Sequence, residues 1–309
     1  MPSPYRRLKL SLTESCNLNC GHCYLGDKQG GHAPVDGIFK RIAEADALGV
    51  EILDLTGGEP TTHPKFVYIM DAAARGGFQR INISTNGVIL SRPPILARLA
   101  DTRFHCNISL DGASATTIDA IRGSGTHARL RRSLAAMQAA GIRFSLRFCI
   151  NRINAGEVGA MVDWAVEMSA SADFEPTQMA GNAGADLLLD RDTALETGRY
   201  LDMRTPDLPI SLTHSLTVSI PCDGAQDDLL SMNAMGQAVS CLMIERDRGS
   251  RLQAQWDVPL AVAWGEALER KAKLAAFTLE EARCGGCNYL HLCRSGCWVT
   301  AHDQGCLTT

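Results

Sequence analysis

RLKLSLTESCNLNCGHC, residues Arg7 to Cys23, holds the two signals from which the architecture follows. Its first half alternates, with Leu8, Leu10 and Leu12 on one side and Ser11 and Thr13 on the other, which is the period of a β-strand. Its second half is a polar loop carrying Cys16, Cys20 and Cys23 as C-x3-C-x2-C. A cysteine loop directly after a strand sits where a parallel barrel keeps its functional groups, at the carboxyl ends of the strands.

The same rhythm continues outward. From Arg7 to about Arg204, short apolar runs alternate with helical patterns, the mark of repeated βα units and a parallel sheet. The predicted strands are Leu8 to Thr13, Glu51 to Leu55, Arg80 to Ser84, Phe104 to Leu110, Arg143 to Ile150 and Asp173 to Gln178, each followed by a potential helix. Gly49, Gly76-Gly77 and Gly141 read as helix C-terminal caps. Several strands alternate polar and apolar residues although helices should cover their outer face, so Asp54, Asn82, Asn107 and Arg147 must point into the barrel. A closed eight-strand barrel fills its centre with branched apolar side chains. A polar lumen predicts an incomplete, wider barrel around a polar ligand. The fold class is therefore α/β, a partial (β/α)6 TIM-like barrel.

After Arg204 the rhythm stops, and the chain from His214 to Thr309 carries seven of the twelve cysteines. It reads as a separate cysteine-rich module, dividing the chain into residues 1–210 and 211–309. Gly181 to Gly184 is the expected flexible stretch before it.

Composition limits the function classes. With 309 residues, 45% hydrophobic, 21% charged and a net charge of -4, the chain can bury a full core. Thirty Lys and Arg against 34 Asp and Glu leave no basic excess, so a nucleic-acid partner is not expected. No apolar run reaches the roughly 20 residues of a bilayer span, and the N-terminus lacks the apolar stretch of a secretory signal. Neither a membrane span nor export is expected, and the expected location is cytoplasmic. Thiols stay reduced there, so clustered cysteines should hold metal, not disulfides. Zinc or a ferredoxin-type cluster would recruit a fourth local cysteine, and none occurs before Cys106. A [4Fe–4S] cluster on Cys16, Cys20 and Cys23 would leave one iron open.

This arrangement resembles the radical S-adenosylmethionine (SAM) superfamily. Three further motifs at successive strand ends carry the resemblance: Gly57-Gly58-Glu59-Pro60, Ser84-Thr85-Asn86-Gly87 and Ser109-Leu110-Asp111-Gly112. It implies that the three cysteines ligate three irons and that the open iron chelates the amino and carboxylate groups of SAM. His22 stands where the family prefers an aromatic residue packed on adenine. Gly57 and Gly58 would let backbone groups approach the ligand, and Glu59 would accept from the methionine ammonium. Ser84, Asn86, Ser109 and Asp111 suit the ribose hydroxyls or the carboxylate. Arg122 resembles a family arginine that pairs with the SAM carboxylate, with a surface salt bridge as its competing role, and Arg147 is a second candidate for that pairing.

In the C-terminal module, Cys222 and Cys241 precede Cys284-x2-Cys287-x5-Cys293-x3-Cys297 and then Cys306. A zinc ribbon uses four ligands and would strand three. The spacing resembles the seven-cysteine SPASM extension of radical SAM enzymes, which carries two auxiliary iron–sulfur clusters, making three [4Fe–4S] clusters in all. By the family's pattern, Cys222, Cys241 and Cys297 hold the inner cluster and Cys284, Cys287, Cys293 and Cys306 the outer one. Asp223 or His214 is near enough in sequence to complete the inner cluster. Of the remaining cysteines, Cys106 should face the helices as a buried hydrophobe. Cys149 should face the lumen, as a candidate hydrogen-atom donor.

The resemblance implies reductive cleavage of SAM and abstraction of a hydrogen atom from an unactivated carbon, with the SPASM module capping the barrel mouth. Most relatives with the full module act on peptides, so oxidative modification of a peptide in natural-product maturation is the first reading. The alternative is a small-molecule dehydrogenase or epimerase acting on an aminocyclitol or sugar. Only about ten residues precede the first strand, so any leader-peptide-binding partner is expected to be a separate protein. A reducing partner such as flavodoxin or ferredoxin is also implied. A non-catalytic electron carrier would need the cysteines but not the SAM-binding strand ends.

Overall fold

The computed structural model describes residues 5–26, 28, 30–178, 180–216, 228–239, 242 and 255–275. All six predicted strands are present, each within two residues of its expected bounds: β1 (Arg7–Ser11), β2 (Ile52–Thr56), β3 (Arg80–Thr85), β4 (Phe104–Ser109), β5 (Phe144–Ile150) and β6 (Ser171–Pro176). They lie side by side in sequence order and pair in parallel. The covering helices are α1 (Val35–Ala47), α2 (Phe66–Arg75), α3 (Pro93–Arg98), α4 (Ala115–Arg122), α5 (Thr126–Ala139), α6 (Val158–Glu167) and α7 (Arg191–Arg204).

The two faces of the sheet differ as the alternation requires. Leu8, Leu10, Leu53, Leu55, Ile81 and Ile83 are fully buried in one core with the inner residues of the helices. In α1 these are Ile38, Arg41, Ile42 and Ala45, one stripe at helical spacing. Burying each such Leu or Ile stabilises the fold by about 1.5–3 kcal/mol. On the opposite face, His105, Asn107 and Ser109 of β4 and Ser145 and Cys149 of β5 are only half-buried, although they sit in the middle of the sheet. Side chains at such positions would be sealed in a filled barrel. The lumen is therefore open and polar, as an incomplete barrel requires.

The sheet does not stop where the rhythm was expected to end. β7 (Leu212–His214) adds to β6 at one edge, and β8 (Leu229–Met232) pairs in parallel with β1 at the other. β9 (Ala238–Val239) closes antiparallel on β8, and α8 (Leu260–Ala275) follows. Trp264 of α8 is fully buried and meets the Tyr5 ring edge-on at 5.0 Å. Strands of two to four residues are too short to show a period, which is why they were missed.

Two glycine readings also change. Gly49 and Gly141 adopt the left-handed conformation of helix caps, with φ of 72° and 67°. Gly76 ends α2 in extended conformation instead, and a Cβ there would lie 2.6 Å from the Phe78 ring, so packing, not backbone handedness, demands the glycine. The Gly181 stretch, expected to be flexible, is a tight turn against the cysteine loop. Gly181 has φ of 60°, and a Cβ on it would fall 2.4 Å from the carbonyl oxygens of Cys23 and Tyr24. Asn182 then clamps that loop, donating from its amide to the Cys23 carbonyl at 2.9 Å and from its side chain to the Cys20 carbonyl at 3.1 Å.

Among the described residues, no helix is long and apolar enough to cross a membrane.

Candidate metal centre and cofactor site

The cysteine loop leaves β1 at the carboxyl end of the sheet and is anchored on the β2 loop. The Gly58 amide donates to the Thr13 carbonyl at 2.7 Å and the Glu59 amide to the Ser15 carbonyl at 2.9 Å. A Cβ on Gly58 would lie 2.4 Å from the Ser15 carbonyl oxygen, and one on Gly57, at φ 151°, would lie 2.5 Å from that of Thr13. The two glycines thus let the backbone of the β2 loop close on the strand end that presents the cysteines. Lys28 adds a tie, donating from its ammonium to the Leu18 carbonyl at 2.8 Å.

Cys16, Cys20 and Cys23 gather around Leu18 and Val88, with Cys20 buried. Burial is the main reason that the Cys16 and Cys20 thiols titrate above their ordinary value, so binding metal there must displace protons. The three sulfurs do not all lie within 4.8 Å of one another. A single tetrahedral zinc would hold them about 3.8 Å apart, given Zn–S bonds of about 2.3 Å. Three thiolates on one loop, with no fourth cysteine beside them among the described residues, suit a cluster that keeps one iron open, so the donor set fits an iron–sulfur cluster. Cys106 is buried in the helix-facing core, where burial pushes its thiol up to about 12, and it stands apart from the loop.

Glu59 is fully buried below the loop. Its carboxylate accepts from the Thr61 amide at 3.1 Å, the Thr61 hydroxyl at 2.5 Å, the Thr85 hydroxyl at 2.7 Å and the Asn86 amide at 2.7 Å. Burial raises its pKa, and these four donors oppose the rise. Three of the four bonds fall on one oxygen, leaving the other with acceptor capacity toward a ligand ammonium. Asn86 in turn donates to the Asn17 side chain at 2.7 Å, tying the β3 end to the cysteine loop. The strand-end motifs point to Glu59 and Asn86 but not to Thr61 and Thr85, which lie beside or inside them and between them supply three of these four bonds, all to the same Glu59 oxygen.

Asp111 joins four elements. Its carboxylate meets the His22 ring at 3.1 Å, the Arg122 guanidinium, and the Cys149 amide, which donates to it at 2.8 Å. Asp111 is 0% exposed and Arg122, at the end of α4, only 4%. Burial would push the Asp111 carboxyl up, but Arg122 and His22 outweigh it and hold the carboxyl well below the usual carboxylate range. Burial by itself would lower Arg122, and Asp111 keeps it above its ordinary value. Arg122 is therefore half of a buried ion pair and makes no surface salt bridge. The loop that carries Asp111 is braced by Glu157, which accepts from the Ala113 amide at 2.7 Å and the Ser114 hydroxyl at 2.7 Å.

Donor atoms of His22, Asp111 and Cys149 lie within 4.8 Å of one another. They do not form a cation site, because Arg122 places its positive charge on the same Asp111 oxygen that His22 approaches. Cys149 does face the lumen. Burial and the nearby carboxylates of Asp111 and Glu175 push its thiol well above its ordinary value, so it stays protonated at neutral pH.

The remaining candidates are spread out. Ser84 and Ser109 are half-buried on the lumen face and make no side-chain hydrogen bond among the described residues. Arg147 lies deeper in the lumen, 44% exposed, and is shared by Asp173 and Glu175 at 3.8 Å each. His214 sits on the edge strand β7, its ring 2.9 Å from the Asp202 carboxylate. Cys222, Asp223, Cys241, Cys284, Cys287, Cys293, Cys297 and Cys306 lie outside the described residues.

The family model described as the Radical SAM superfamily matches residues 10–165, just over half of the chain. The mycofactocin maturase MftC of Mycobacterium ulcerans (strain Agy99) is 27% identical over 317 residues, covering 96% of this chain and 84% of its own length. In fold, the chain is similar to Streptococcus suis SuiB bound to its precursor peptide SuiA, with a TM-score of 0.76 at 17% identity over 95% of this chain and 72% of SuiB. It is also similar to anSMEcpe with bound AdoMet and the Cp18Cys peptide, with a TM-score of 0.72 at 16% identity over 93% and 87% of the two chains.

Proposed function

The chain belongs to the radical SAM superfamily, and from that premise we propose that it is a maturase that oxidatively modifies a peptide. The observation that carries this reading is the similarity to a peptide maturase along 96% of the chain, not along the barrel alone. SuiB and anSMEcpe, which share the fold, are both described with peptides bound. The aminocyclitol or sugar alternative finds no counterpart among these relatives.

When bound, the cluster and SAM supply a 5′-deoxyadenosyl radical that removes a hydrogen atom from an unactivated carbon. This chain's residues provide the setting. Cys16, Cys20 and Cys23 hold the cluster, and Glu59, through its less occupied oxygen, receives the ammonium of SAM. Ser84, Ser109 and the Asn86 side chain face the ligand's hydroxyls. Asp111, Arg122 and His22 set the pose of the loop, and Arg122 can turn part of its guanidinium toward the SAM carboxylate. Cys149 offers a protonated thiol to the lumen.

The finer assignments extend the same reading. Residues 211–309 supply two auxiliary [4Fe–4S] clusters, with Cys222, Cys241 and Cys297 on the inner one, as the one-electron acceptor that a net oxidation requires. The division at 210 is one of chemistry, since β7, β8 and β9 share the barrel's sheet. A separate leader-binding protein and a small reductant, flavodoxin or ferredoxin, complete the system in the cytoplasm.

The test is turnover of the anaerobically reconstituted enzyme with SAM, a reductant and any short precursor peptide found encoded near its gene, with sugars and aminocyclitols as the competing substrates. A peptide product two hydrogens lighter, with 5′-deoxyadenosine formed, is expected. Replacing Cys222, Cys241 or Cys297 by Ala should stop the product while uncoupled SAM cleavage persists. A peptide returned unchanged while a sugar or aminocyclitol is oxidised or inverted would overturn the reading.

A further inference from the structure

At the amino ends of the strands, opposite the cysteine loop, the lumen carries a second polar constellation. His105 of β4 bonds the Ser145 hydroxyl of β5 at 2.6 Å, and that hydroxyl meets the Ser171 hydroxyl of β6 at 2.6 Å. His105 stands in register with Asn82 on one side, and one residue before the Cys106–Phe144 pair on the other, which sets it beside Arg143. Arg80, two residues below Asn82 on the same face, donates to the Asn82 side chain at 2.8 Å. The carboxylates nearby are already engaged, Asp173 of β6, two residues after Ser171 on the same face, by Arg147 at 3.8 Å and by the Thr213 hydroxyl at 2.8 Å. Asp54, the buried acid of this region, is taken by Arg7 at 2.5 Å and by the Asn82 amide at 2.7 Å. Neither Arg80 nor Arg143 has a carboxylate partner among the described residues.

We propose that this lower mouth of the lumen is an oxyanion site, formed by Arg80, Arg143 and the His105–Ser145–Ser171 chain, that takes a carboxylate or a phosphate. Two guanidiniums suit the planar, charge-assisted recognition of either group. The Ser145–Ser171 bond uses one hydroxyl proton, which leaves one serine hydroxyl to turn its proton toward the anion. Burial, then the positive charge of Arg80, Arg143 and Arg147, depresses His105 to about 4. The ring is thus neutral at working pH, held there first by burial and then by the positive field that would attract an anion. The half-buried Asn107, Ser109 and Cys149 continue the polar face from there toward the cysteine end of the sheet, so the anion is either free or carried on a substrate chain. The site is independent of which substrate that cysteine site acts on.

The experiment is calorimetric titration of the reconstituted full-length protein at constant ionic strength in chloride. The probes are inorganic phosphate, a short peptide with a free C-terminal carboxylate, and the same peptide amidated. Saturable binding of phosphate marks a free anion, and preference for the carboxylate peptide over its amide marks a substrate-borne one. In either case Arg80→Gln/Arg143→Gln should weaken binding about tenfold or more, with cluster iron unchanged. Ser145→Ala, which keeps every charge, should weaken it a few-fold. The proposal is overturned if no probe binds saturably, if the double variant binds as the wild type does, or if Ser145→Ala leaves affinity unchanged, since charge without a built site would then explain the binding.

Discussion

Asp111→Asn removes one negative charge with almost no change of shape, and the cost follows from what that charge holds. The carboxamide oxygen can still accept from the Cys149 amide, now 2.8 Å away. It cannot neutralise Arg122, whose side chain is only 5% exposed and would become a buried cation without a counter-charge. Breaking a buried pair by removing one member costs about 3–5 kcal/mol, a large share of a total stability of about 5–15 kcal/mol. For a chain of this size that should lower the unfolding midpoint by about 6–20 °C. The sign of the pH dependence also follows. Pairing holds the folded carboxyl far below its unfolded value of about 3.9, so its contribution is fully present above about pH 4 and is lost only as pH falls through the folded value. Urea unfolding at pH 7 under anaerobic conditions measures the loss, and Asp111→Asn/Arg122→Met tests its cause. With both charges gone, much of the stability should return. A single variant within about 0.5 kcal/mol of the wild type, or a double variant no more stable than the single one, would refute the reasoning.

Three further outcomes are expected. Gly58→Ala forces a Cβ to 2.4 Å from the Ser15 carbonyl oxygen, so the β2 loop and the cysteine loop must separate, and iron bound at the first cluster should fall while the helical content by circular dichroism holds. Replacing Cys16, Cys20 and Cys23 by Ala should abolish 5′-deoxyadenosine formation and remove about four irons of a cluster-loaded chain, which iron analysis reads directly; loss of all iron would mean that the loop is a structural staple. Cys149→Ala should still form 5′-deoxyadenosine and, for an oxidative enzyme, still yield the lighter product without solvent deuterium. Loss of product together with solvent label in the wild-type product would instead make the thiol a hydrogen-atom donor.

What could be read from the chain alone was whatever depends on neighbours in sequence. The alternation of Leu8, Leu10 and Leu12 with Ser11 and Thr13 identifies a strand and its faces, and the same period in β2 to β6 specifies a parallel sheet with a polar lumen. Cys16, Cys20 and Cys23 lie within eight residues, so their shared chemistry is local as well. Turn glycines such as Gly49 and Gly141 are legible because only glycine adopts their backbone conformation without strain.

Only the tertiary structure decided which polar groups satisfy one another. His22 lies in the cysteine loop, Asp111 in the loop after β4 and Arg122 at the end of α4, and nothing in their spacing says that the aspartate lies against both the imidazole and the guanidinium. Read singly, each resembles a ligand contact. Assembled, they form one buried cluster centred on the Asp111 carboxylate. The same holds for Glu59, whose partners come from the loops after β2 and β3, and for Asn182, which reaches back to Cys20 across 162 residues. The edge strands β7, β8 and β9 were equally hidden, since two to four residues carry too little periodicity and acquire their conformation from the ladder they join. The physical reason is common to all of these. Periodicity is a property of consecutive residues, whereas burial brings distant polar groups together and then requires that each find a partner, a condition the folded chain alone can meet.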